Sequence, residues 1–99
     1  MTHVDSFEPR TPKSTSLSQN YPNPFNAVTT IEFILWQSSF VTLKVCNILG
    51  EEIITLISEN ISAGNYRYDW NAKGFPSGVY FYRLEAEGFT EVKNMLFLQ

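Results

Sequence analysis

Tyr66-Arg67-Tyr68-Asp69-Trp70 alternates aromatic rings with charges at every step, more strictly than any other stretch of the chain. Successive side chains of a strand point to opposite faces, so this run predicts a half-buried strand with its rings on the inner face and Arg67 and Asp69 on the outer. The same period of two recurs on either side.

Upstream, Ile31, Phe33 and Leu35 alternate with Thr30 and Glu32, Ile34 alone breaking the pattern; Val41, Leu43 and Val45 then alternate with Thr42, Lys44 and Cys46. Both runs predict strands of β-branched and aliphatic residues. The polar Gln37-Ser38-Ser39 between them predicts a short turn, and so an antiparallel pair. Asn47-Ile48-Leu49-Gly50 predicts a tight reversal with Gly50 at positive φ. Glu52 to Ile57 starts another strand, of ambiguous facing because apolar residues fall on both sides. Ser58 to Gly64 reads as a longer polar connection.

Downstream, Lys73-Gly74-Phe75-Pro76-Ser77-Gly78 is a turn, and Val79 to Ala86 places Tyr80, Tyr82, Leu84 and Ala86 on one face against Phe81, Arg83 and Glu85. Glu87-Gly88 predicts a tight hairpin into a last strand from Phe89 to Leu98. With a short strand near Leu17 this makes about seven strands and no helical period. The expectation is all-β: an antiparallel β-sandwich in the immunoglobulin or fibronectin style, with Trp70 and the tyrosines filling the middle layer and no Cys-Trp-Cys framework.

Before the first long strand stands Asn20-Tyr21-Pro22-Asn23-Pro24-Phe25-Asn26. Two prolines fix two φ angles near about −65°, delete two backbone donors and push Tyr21 and Asn23 into extended conformations, so the segment is neither helix nor central strand. It can run along a sheet edge, with Tyr21 and Phe25 as anchors in the core and Asn23 and Asn26 as turn formers. Residues 1–16 hold few sizeable apolar side chains and predict a flexible linker, with residues 17–99 as the folded domain.

Ninety-nine residues with 43% hydrophobic and 17% charged content suit one small domain. A net charge of −3 with only seven scattered Lys and Arg argues against nucleic acid, and no apolar stretch approaches the roughly 18 residues of a membrane span. One cysteine, Cys46, precludes an internal disulfide. The N-terminus shows no signal-peptide regions, so an exported form would be part of a longer precursor.

Catalytic constellations are missing. The only histidine, His3, lies in the linker, so no imidazole base is available to a nucleophile inside the domain. Asp5 and Asp69 do not make a calcium loop, no Cys or His pairing makes a zinc site, and Glu51, Glu52, Glu85, Glu87 and Glu91 fall at turns or outward positions. The reading is a non-enzyme with no cofactor and no metal. Trp36, Phe75 and Phe81 could stack on sugar rings, but Phe75 is better placed to plug a turn and Trp36 to cover a sandwich end.

The run Leu17 to Asn26 resembles the type A C-terminal sorting domain of type IX secretion cargo, together with Val41 to Val45, Asn47 to Gly50, Ala63-Gly64, Ser77 to Leu84 and Lys93. The likeness spans Leu17 to Gln99; each motif is weak alone, and their order and spacing make it specific. It departs from the common pattern at Ala27, where proline is usual, at Trp36-Gln37, at Cys46, where tyrosine is frequent, and at Gln99, where a basic residue is. The sandwich is also similar to the immunoglobulin-like domain of flagellar hook-capping proteins.

The resemblance implies a C-terminal sorting signal on proteins exported through the periplasm of Bacteroidetes-like bacteria to the cell surface or the medium. Its partners would be the outer-membrane type IX translocon, a sortase-like protease and the N-terminal cargo domain. The residues that carry the family marks are Tyr21, Pro22, Asn23, Pro24, Gly78, Tyr80, Lys93, Met95 and Phe97; these are the candidates for translocon recognition. With Lys93 outward, the last strand could meet a receptor by strand addition. The rival readings are a structural module and a carbohydrate-binding one, either appended to a secreted enzyme.

Overall fold

A computed structural model describes residues 14–99; residues 1–13, most of the expected linker, lie outside the described residues. Seven strands follow in order: β1 (Ser16–Leu17), β2 (Val28–Leu35), β3 (Ser39–Cys46), β4 (Glu52–Ile61), β5 (Gly64–Asn71), β6 (Gly78–Ala86) and β7 (Phe89–Phe97). They form two antiparallel sheets, β1-β2-β5 and β4-β3-β6-β7, packed face to face as a β-sandwich. The expected all-β class and the seven strands are present.

The inner faces alternate as the sequence requires. Ile31, Phe33 and Leu35 from one sheet meet Val41, Leu43, Val45, Tyr82 and Leu84 from the other, every one of them almost fully buried. Burying each large aliphatic or aromatic side chain stabilises by about 1.5–3 kcal/mol. The aromatic run closes one end of this core: Trp70 is buried, tilted against Phe25 at 6.1 Å and Phe75 at 5.7 Å, and edge-on to Tyr80 at 6.0 Å. Phe75 therefore plugs its turn onto the core as expected.

One pairing differs from expectation. β2 and β3 are not a hairpin; β2 pairs with β1 and β5, whereas β3 pairs with β4 and β6. Ile31, Phe33 and Leu35 of β2 and Val41, Leu43 and Val45 of β3 make apolar inner faces, and the polar linker lets the chain arch from one sheet to the other so that these faces pack against each other. Side by side in one sheet, the same faces would each need a different cover. The polar stretch from Ser58 is also shorter as a connection than expected, because β4 continues to Ile61 and only Ser62-Ala63 leads to β5.

The β3–β4 turn forms at Asn47 to Gly50. Gly50 takes φ 85°, a left-handed conformation that costs a residue with a Cβ. Asn47 Oδ1 accepts the N–H of Leu49 at 2.9 Å and of Glu51 at 3.0 Å, so the side chain replaces backbone partners the turn lacks. Two register shifts, at Leu43/Lys44 and Val45/Cys46, bulge β4 and account for its ambiguous apolar pattern. The Glu87-Gly88 hairpin is present, Ala86 pairing with Phe89.

Candidate functional site

The proline-rich segment is the element that joins the two sheets at one side of the sandwich. Tyr21 exchanges both backbone bonds with Thr30 of β2, its N–H to the Thr30 oxygen at 3.0 Å and the return bond at 2.8 Å. Four residues later the chain has crossed to the other sheet: Phe25 N–H donates to Leu96 O at 3.0 Å, and Leu98 N–H donates to Phe25 O at 2.9 Å. Asn23 Oδ1 accepts the Leu96 N–H at 2.9 Å, and Gln19 Nε2 donates to Asn94 O at 2.7 Å. The outer backbone of β7 is thus occupied from Asn94 to Leu98.

Buried polar groups fasten the segment from beneath. The Tyr82 hydroxyl, in the middle of the core, accepts the Asn20 N–H at 2.7 Å and donates to Ser18 O at 2.7 Å. Asn20, itself buried, donates to Thr29 Oγ1 at 2.8 Å, and Thr29 donates on to Pro22 O at 3.0 Å. Such interior groups are tolerated only when paired, so each bond fixes where the segment lies. Burial pushes the Tyr82 phenol up to about 12, opposed by the Asn20 N–H that favours the phenolate and helped by the nearby Glu91 carboxylate.

Of the two expected anchors, only Phe25 is one. It is 2% exposed and stacked on Phe97 at 5.1 Å, whereas Tyr21 is 45% exposed and lies on the outer face, its hydroxyl donating to Glu32 Oε2 at 2.9 Å. That bond to a carboxylate is the main reason the Tyr21 phenol is held above its ordinary range. Tyr21 turns outward because it continues the β1 side of the sheet opposite Thr30, whose side chain also faces out toward Asp69. Pro22, Asn23 and Pro24 are exposed, both Xaa-Pro bonds are cis, and Ala27 sits at φ 76°, a conformation closed to the proline that is usual there.

The remaining candidates separate by depth. Tyr80, Met95 and Phe97 are buried, and the Tyr80 hydroxyl donates to Pro76 O. Gly78 opens β6 directly opposite Phe97. Lys93 does not point outward: it pairs with buried Tyr82 and shares the face of Met95 and Phe97, since those residues are two and four steps away. Only because β7 is an edge can its stem lean out, bringing Nζ within 3.2 Å of Glu91 Oε2.

Cys46 lies on the outer face with Thr42 and Lys44, as expected, but it is 5% exposed because the Arg83 side chain covers it. Arg83 is held there by Glu52 at 2.8 Å and Glu85 at 3.3 Å, with Lys44 adding a 3.3 Å contact to Glu52. The Arg83 and Lys44 bonds keep the Glu52 carboxyl below its usual range. Trp36 follows the end of β2 and Phe75 packs on Trp70 at the opposite end, so the two rings do not form one platform. Among the described residues no three metal-ligating side chains come together.

Among the described residues the chain is a strapped, all-β sandwich whose buried polar groups hold a proline-rich segment against both sheets. The chain matches the secretion system C-terminal sorting domain over residues 19–97 and belongs to that family, the sorting signal of type IX secretion. Members of this family act as export signals and not as enzymes, on cargo carried in the same polypeptide. No curated protein matches the chain. The pairing of the segment with both Thr30 and Phe97 was the part of the site that sequence reasoning missed; the prolines announced an edge segment but not which edges it joins.

Proposed function

We propose that the sorting signal is read as a folded surface on the strapped side of the sandwich. Exposed Tyr21, Pro22, Asn23 and Pro24 contact the outer-membrane type IX translocon, with Lys93 at the margin of the same side. Gly78, Tyr80, Met95 and Phe97 hold that surface in place from the core. The observation that carries this reading is the Asn23–Leu96 bond with the flanking Phe25 pairings, which unites residues more than seventy positions apart into one rigid patch. Strand addition along Asn94 to Leu98 is not part of it, because the strap already holds those backbone groups.

In this reading residues 17–99, with Ser16 beside Leu17 in β1, are the unit the translocon recognises, and the residues before β1 tether it to the cargo. A sortase-like protease cuts in that tether, before β1, once the cargo has passed from the periplasm to the cell surface or the medium. The test fuses residues 17–99 behind a periplasm-directed fluorescent reporter in a bacterium with a working type IX system and in its translocon-null mutant. Reporter outside the competent strain alone, and a marked drop with folded Tyr21→Ala, supports the reading. Folded reporter retained in the periplasm of both strains overturns it.

A further inference from the structure

Each sandwich sheet has two edges, and three of the four are defended. β1 is two residues long and continues into the strap, and β7 is covered from Asn94 to Leu98, with the charges of Glu91 and Lys93 on the inner face of its open half. β4 carries two bulges and sets Glu59 opposite buried Val41. Short strands, covers, bulges and inward charges are the devices that stop edges from pairing with another chain. Among the described residues β5 has none of these, and its two charges, Arg67 and Asp69, lie on the outer face. It is eight residues long, pairs with β2 in unbroken register from Asn71 to Gly64, contains no proline, and places only Tyr66, Tyr68 and Trp70 on its inner face.

The backbone groups that face this free edge can be identified. Thr30 directs its N–H and C=O to Tyr21, so Asp69 opposite it does not receive them, while Ala72 N–H bonds to Ala27 O at 2.7 Å in phase with Trp70 and Thr29. In an antiparallel ladder hydrogen-bonded and open pairs alternate. Asn65, Arg67, Asp69 and Asn71 therefore direct their N–H and C=O away from β2, to the edge where no other described strand pairs. Their side chains are on the outer face, Arg67 and Asp69 each about 60% exposed and 3.7 Å apart.

We propose that the β5 edge is a self-association surface: two copies of this chain pair β5 to β5 antiparallel about a twofold axis through Tyr68, joining their three-stranded sheets into one. In this register Arg67 of each copy stands directly opposite Asp69 of the other, Asn65 faces Asn71, and Tyr66 faces Trp70. All four outward-facing residues fall on hydrogen-bonded positions, giving about eight backbone bonds. Sliding to the next in-phase register sets Arg67 against Arg67 or Asp69 against Asp69 across the axis, and like charges directly opposite destabilise a pair. The charge pattern thus selects the occupant and the register together. This inference stands independently of how the translocon reads the domain.

Sedimentation of the full 99-residue chain tests it, with three variants at exposed positions that leave the core untouched. The wild-type chain dimerises below about 1 mM, as befits a small interface. Arg67→Asp alone and Asp69→Arg alone each weaken dimerisation tenfold or more, because each puts like charges opposite twice. An equimolar mixture of the two variants, and the double swap R67D/D69R, restore it to within about threefold, since both recreate opposite pairs. A wild-type chain monomeric at 1 mM overturns the proposal, as does a dimer that either single reversal leaves unchanged or that the mixture fails to restore.

Discussion

The two sides of this sandwich are built on opposite principles. On one, the segment from Gln19 to Phe25 crosses between the sheets, pairing with Thr30 on the first and with Leu96 and Leu98 on the second, and Tyr82 secures it from inside. On the other, β5 and β4 are joined only by Ser62-Ala63, and Tyr66, Tyr68, Ile54, Ile57 and Ile61 remain only partly buried. The strapped side gains its order from contacts distant in sequence, while the open side depends on its own sheets. Substitutions at the bonds and rings that hold the strap should therefore loosen the domain, and those along the β5 edge should leave its stability nearly unchanged.

The largest effect is expected at Phe25. Replacing this buried ring by alanine empties the space between Phe97 and Trp70 and should cost about 3–5 kcal/mol, read as a lowered midpoint in urea. That is a large part of the roughly 5–15 kcal/mol a small domain possesses. A midpoint shift no greater than that of a surface variant would mean the strap is not integral to the fold.

Next comes Tyr82→Phe, which removes the hydroxyl between Ser18 and Asn20 and leaves two inner backbone groups unpaired, at about 1–3 kcal/mol. The same residue sets an alkaline limit. Its pKa rises from about 10 in the unfolded chain to about 12 in the fold, so the native state retains a proton that the unfolded state has already released. Its contribution is complete below pH 10 and is lost as pH climbs toward 12. Stability measured across that interval should fall more steeply in the wild-type chain than in Tyr82→Phe; equal slopes would detach Tyr82 from the limit.

Asn23→Ala deletes a single bond to the Leu96 N–H at the exposed margin, and about 0.5–1.5 kcal/mol is expected by the same denaturation assay. The smallest change belongs to the open side. Arg67→Asp should leave the unfolding free energy within about 0.5 kcal/mol, since both the residue and its partner Asp69 are exposed, while it weakens the proposed pairing of β5 edges about tenfold or more. A comparable stability loss at Arg67 and Asn23 would erase the distinction between the two sides.

Much of the fold was legible because period two is a local property. Ile31 to Leu35, Val41 to Val45 and Tyr80 to Leu84 could each be assigned an inner face from their own alternation, and the structure buries those residues. β4 was not, because bulges at two points slip its alternation relative to β3 and nothing in Glu52 to Ile61 marks where. Lys93 misled for a different reason: its charge suggested an outward position, whereas its spacing from Met95 and Phe97 required an inward one that only an edge strand tolerates. Tyr21 misled in the opposite sense, an aromatic ring facing solvent and bonded to Glu32.

By itself the sequence determined the all-β class, the positions of the strands other than the second half of β4, the turns at Gly50 and Gly88, and the family to which the motifs around Tyr21 to Pro24 and Gly78 to Tyr80 belong. These rest on side-chain period and backbone stereochemistry, which neighbouring residues decide among themselves. The tertiary structure alone decided that β2 and β3 lie in different sheets, that the proline-rich segment straps β2 to β7, and that β5 stands at the edge of its sheet. Those arrangements depend on which apolar faces cover one another and which backbone groups find partners across more than seventy residues, a competition that no local pattern records.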